Sequence, residues 1–82
     1  MEGSLPTVLR HNGFRFFFFS NENDEPLHIH VEKGESYAKF WLKPVSIARN
    51  IGFNQSEITE IKKILFEKQS DIEEKWNDYF NK

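Results

Sequence analysis

Two imidazoles, a carboxylate and an ammonium can meet on one surface of this chain. The run Glu25-Pro26-Leu27-His28-Ile29-His30-Val31-Glu32 reads as a β-strand. Alternate strand side chains share a face, so His28, His30 and Glu32 point one way and Ile29 and Val31 the other. Counting outward from Gly34-Glu35 as a two-residue turn sets Lys39 opposite His30. Imidazole titrates near neutrality and both gives and takes protons. One histidine could deprotonate a 2′-hydroxyl, the other protonate the leaving oxygen, and the lysine steady the charged phosphorane. His28, His30 and Lys39 are therefore the candidate catalytic residues of a small metal-independent endoribonuclease. The same strand face could instead offer two nitrogens and an oxygen to a metal ion. Two features oppose that. Three ligands along one strand span about 13 Å, and the Lys39 ammonium repels a cation. Neither a metal nor another cofactor is expected. A third reading has both histidines hydrogen-bonded within the sheet, under Tyr37 and Trp41. Whether the protein is an enzyme stays open.

Aromatic and basic residues interleave around this constellation. Arg10, Arg15, Phe17, Phe19, Tyr37 and Trp41 form a candidate binding face. Rings and cations on an open sheet can stack bases and hold phosphates. The same residue types anchor protein interfaces. The net charge of −2 favours a small protein partner or self-association, with nucleic acid as the other candidate.

The elements that must position these groups are legible in order. Asn12-Gly13 between Pro6–Arg10 and Phe14–Phe19 signals a type I′ hairpin turn. This turn pairs His11 with Phe14, Arg10 with Arg15, Leu9 with Phe16 and Val8 with Phe17. Phe14, Phe16 and Phe18 then share the core face, and Arg15, Phe17 and Phe19 the less buried one. Two arginines in opposition suggest an anionic partner, or they splay into water or pair with Glu. Ser20 to Pro26 is a polar loop whose three acids could contact a cation. Ser36–Leu42 returns from the Gly34-Glu35 turn, pairing Glu32 with Tyr37, Val31 with Ala38, Ile29 with Phe40 and His28 with Trp41. Val45–Arg49, after Lys43-Pro44, alternates like one more arm or an edge strand.

The last third reads as helix over about 55–80. Asn54 and Glu57 form a capping box, and Phe53 and Ile58 sit at staple positions. Ile58, Ile61, Leu65, Ile72, Trp76 and Tyr79 or Phe80 keep one stripe. That phase favours one helix of about 25 residues, near 38 Å. Ser70-x-x-Glu73 is a second capping box and would permit a break. The expected architecture is α+β. A small antiparallel sheet of two hairpins, about four strands, is packed on one face by the long C-terminal amphipathic helix.

The chain's 82 residues suit a single domain over 6–82 after a flexible lead, 1–5. The sequence has no cysteine, hence no disulfide or thiolate site. No apolar run is long enough to cross a membrane. Met1-Glu2-Gly3-Ser4-Leu5 lacks the pattern of a signal peptide. A cytoplasmic location, away from membranes, is expected.

Several motifs together resemble the small bacterial family known as domain of unknown function 4160. They are Pro6–Arg10, Gly13–Phe16, Ser20–Glu22, the run Glu25-Pro26-x-His28-x-His30-Val31, Ala38–Leu42, Gly52-Phe53 and Trp76-Asn77-x-Tyr79-Phe80. The resemblance covers residues 6–80. The family pattern often has a second proline where this chain has Leu27. The resemblance implies a stand-alone cytosolic protein, one half of a toxin–antitoxin-like gene pair, without settled biochemistry. An interaction module is the leading expectation and the endoribonuclease toxin its alternative.

Overall fold

In the computed structural model, residues 7–19 and 24–80 are described; the lead 1–5 and part of the acidic loop lie outside them. Five antiparallel strands, β1 (Thr7–His11), β2 (Phe14–Phe17), β3 (His28–Lys33), β4 (Ser36–Leu42) and β5 (Val45–Ile51), form one meander in chain order. One helix, α1 (Gln55–Phe80), follows and packs on the sheet. This is the expected α+β arrangement, with Val45–Ile51 as an edge strand beyond the two hairpins.

The turns set the register. Asn12 (φ 54°) and Gly13 (φ 85°) are both left-handed, as a type I′ turn requires. Gly34 supplies φ 60° at the second turn. The β3–β4 register is the expected one, from His28↔Trp41 through His30↔Lys39 to Glu32↔Tyr37. In the first hairpin His11↔Phe14, Arg10↔Arg15 and Leu9↔Phe16 also hold. The expected Val8↔Phe17 pair does not. The register slips between Thr7 and Leu9, and Thr7 takes Phe17 instead. An extra unpaired residue of this kind is a bulge, which accentuates strand twist at a sheet edge.

The helix is continuous for 26 residues, so Ser70 does not start a second one. The capping box is formed. The Glu57 amide donates to Asn54 Oδ1 (2.8 Å) and the Asn54 amide to Glu57 Oε1 (3.0 Å). Phe53 and Ile58 are buried as a staple. Ile58, Ile61, Ile64, Leu65, Ile72 and Trp76 meet Phe14, Phe16, Phe18, Ile29, Val31, Ala38, Phe40 and Leu42 in one core. Each of the buried Ile, Leu, Val and Phe side chains contributes about 1.5–3 kcal/mol. Gln69 Nε2 donates to the Leu42 carbonyl, and Lys43 pairs with Glu73 at 2.6 Å, fastening the helix to the end of β4.

The passage from sheet to helix is tight. Asn50 Nδ2 donates to the Phe53 carbonyl (3.0 Å) and its Oδ1 accepts from the Phe53 amide (3.1 Å). Between them Gly52 takes φ 97°, and a Cβ there would lie 2.8 Å from Ser36 Oγ.

Candidate functional site

The pleat and the register lay out the sheet face opposite the helix as two long cross-strand rows and a short one. Arg10, Arg15, Glu32, Tyr37 and Ile51 stand in the first. Phe17, His30, Lys39 and Arg49 form the second, and His28, Trp41 and Ser46 the third. Arg10 and Arg15 thus do share the histidine face. The structure also brings Arg49, Ile51 and Ser46 onto it. The bulge between Lys39 and Phe40 leaves Ala48 unpaired and moves Arg49 and Ile51 onto the histidine face, so simple alternation along β5 misplaces them.

This face is not the open surface expected of a sheet covered on one side only. Phe17 is 2% exposed, His28 0% and His30 1%. The β2–β3 connection supplies part of the cover. Phe18 and Phe19 leave the ladder after Phe17 and diverge. Phe18 goes edge-on to Trp76 (5.2 Å) in the helix core, and Phe19 crosses to His30 (4.2 Å). Farther along the connection, Pro26 and Glu25 reach back to His28 and Lys39.

The two imidazoles sit edge to face, their centroids 5.1 Å apart. His30 lies between the rings of Phe17 (5.5 Å) and Tyr37 (5.8 Å), both nearly parallel to it. His28 meets Trp41 at 5.8 Å and Trp76 at 5.1 Å, so the far end of the helix also reaches this box. The helical stripe places Trp76 in the core, but its second contact depends on how the helix crosses the sheet. Buried ring nitrogens need partners. His28 Nδ1 lies 2.9 Å from the Pro26 carbonyl, which only accepts, so that nitrogen carries the proton and donates. His30 Nδ1 shares a 2.7 Å hydrogen bond with the Tyr37 hydroxyl.

The cations around the box differ in their engagement. Lys39 Nζ bonds Glu25 Oε1 at 2.7 Å and lies 4.7 Å above the Trp41 ring. Glu25, one acid of that loop, thus meets this ammonium. Arg15 bonds Glu32 (3.0 Å) and Thr7 (2.9 Å) and covers Phe17. Pairing with Glu, one of the outcomes expected for the arginine pair, holds for Arg15. Arg10 and Arg49 are exposed, with no acceptor among the described residues. Tyr37, Lys39 and Trp41 are half-buried and form the accessible rim. Beside Trp41 opens a cleft of about 390 Å3, lined by Pro26, Leu27, Trp41, Lys43, Pro44 and Ser46. Among the described residues no three His, Cys, Asp or Glu side chains are grouped to hold a metal ion. No helix among them is long and apolar enough to cross a membrane.

Chemically, the arrangement sets two hydrogen-bonded imidazoles inside aromatic walls, with cations and a cleft at the margin. No curated protein and no solved structure matches the chain. One family model does, described as a domain of unknown function, DUF4160, over residues 13–77. The match takes in β2 to most of α1, including the Glu25-to-Val31 run and Ala38–Leu42, and leaves β1 outside. On that span, the chain belongs to the DUF4160 family.

Proposed function

We infer that this chain is a protein-binding module, one member of a two-protein bacterial pair acting in the cytoplasm, whose rim around the histidine box holds the partner. The observation that carries this reading is the contrast in access. His28 and His30 are sealed at 0% and 1% exposure, while Tyr37, Lys39 and Trp41 stand half-buried around them and Arg10 and Arg49 are exposed. Acid–base cleavage of RNA needs both imidazoles within hydrogen-bond reach of the substrate. It also needs the lysine charge aimed at the phosphorane, whereas Lys39 is engaged by Glu25. Half-buried Trp and Tyr next to cations are the usual anchors of a protein interface.

The test is a low-salt purification of the tagged protein from its own cells, beside its Trp41→Ala variant. A stoichiometric small protein, lost from the variant while circular dichroism is unchanged, is the expected result. Co-purifying RNA that is cleaved by the native chain and spared by a folded His30→Gln variant would overturn the reading in favour of the nuclease.

A further inference from the structure

The described sheet has two edge strands, β1 and β5, and the outer side of β5 is the longer of the two open edges. The strand order ends there, so one row of its amides and carbonyls faces no neighbouring strand. Natural edges are normally guarded by shortness, charge, proline or a covering segment. At seven residues β5 is as long as any described strand, and its guards are one bulge and one arginine. Its side chains are largely outside, Ile47 at 40% and Ile51 at 48% exposure.

Charge says what this edge favours. Across the whole β4–β5 hairpin, Ser36–Ile51, there are three cations, Lys39, Lys43 and Arg49, and no acidic residue, in a chain whose net charge is −2. Lys39 and Lys43 are answered by Glu25 and Glu73 from outside the hairpin. Arg49 has no such answer among the described residues. A second copy would bring one basic edge against another, so self-pairing is disfavoured.

The far-face row along β5 runs Ser46, Arg49, Ile51. Ser46 borders the Trp41–Pro44 cleft at one end. A strand added about 4.8 Å outside β5 would set its own side chains beside these three, because directly opposed residues share a face.

We propose that the edge of β5 receives an extended acidic segment of a partner protein as a sixth strand. One apolar side chain of that segment seats in the Trp41 cleft and a carboxylate pairs with Arg49. Backbone hydrogen bonds supply the affinity of such strand addition, and alternate side chains its selectivity. The favoured pattern is an apolar residue, then an acid about two positions on, then an apolar residue over Ile51. This inference rests on the protein-binding reading and names the partner's chemistry.

The probe is a synthetic peptide of about eight residues, a common strand length, carrying that alternation. It is titrated into the isotope-labelled full chain, with amide shifts and exchange rates followed by magnetic resonance. The expected result is shift and slowed exchange confined to Val45–Ile51 and the cleft. Affinity should fall about tenfold or more, or roughly 1.4 kcal/mol, with Arg49→Glu. A peptide N-methylated at alternate residues, which keeps its side chains and loses its donors, should not bind.

Several results would overturn the proposal. They are equal binding of the methylated peptide, shifts that bypass β5, no binding of any peptide, and an oligouridylate that occupies β5 where the peptide does not. Sedimentation showing a dimer broken by Arg49→Glu would also overturn it, by making the occupant a second copy. If the partner captured in the purification binds Arg49→Glu as well as the native chain, strand addition fails while the module reading stands. If no partner is captured, the module reading fails whatever the peptide does.

Discussion

The two faces of this sheet are closed by opposite means. On one, a single 26-residue helix lays an aliphatic stripe on Phe14, Phe16, Phe18, Ile29, Val31 and Phe40. On the other, a connection between two strands folds back over a pair of histidines, and nearly every contact involves a ring or a charge. The first closure is indifferent to direction, because burial scales with area. The second depends on geometry, because buried imidazoles unmatched to partners cost more than an apolar residue would. A core face can thus be specified by pattern alone, whereas a polar face needs a cover in the right place.

The sharpest way to break this comparison is to delete the same side chain on each face. Phe16 and Phe17 are neighbours, both buried, and point to opposite sides. Phe16→Ala should lower the unfolding free energy by about 3–5 kcal/mol, measured in urea, and Phe17→Ala should fall at or below the lower end, since a loop collapses into a void more readily than a helix. A larger loss at Phe17 would mean that the loop-covered face is the more rigid. The next effect is polar. Tyr37→Phe removes the hydroxyl that His30 Nδ1 meets at 2.7 Å and should cost about 1–3 kcal/mol. A neutral result would show that water takes over and that the box is wetter than its burial implies. The smallest effect belongs to the rim. Glu25→Gln weakens the Lys39 pair and should cost less than about 1 kcal/mol, shrinking further as salt is added. A loss as large as that of Tyr37→Phe would make Glu25 a keystone of the cover.

Much of the first face was legible in the sequence, for local reasons. Asn12-Gly13 and Gly34 name their own turns, and the turns set the register of the β3–β4 ladder residue by residue. Asn54, Glu57, Phe53 and Ile58 announce the helix start within one turn of chain. The second face was legible in membership and not in depth. Alternation puts His28, His30, Tyr37, Lys39 and Trp41 together, but nothing near Phe19 or Glu25 says that they fold back over the face. That depends on contacts between distant parts of the chain. The two bulges, around Val8 and at Ala48, escape for a related reason. Each adds one residue to a strand whose composition is unchanged, so the pattern carries no mark of where parity flips. Without that flip Arg49 and Ile51 could not be assigned to the histidine face.

One small feature constrains how this chain can vary. At position 52 the backbone sits at φ 97°, and a Cβ there would press within 2.8 Å of the Ser36 hydroxyl. Hydrophobicity and charge, the currencies in which most positions trade substitutions, have no bearing there. The joint between sheet and helix therefore has an alphabet of one letter.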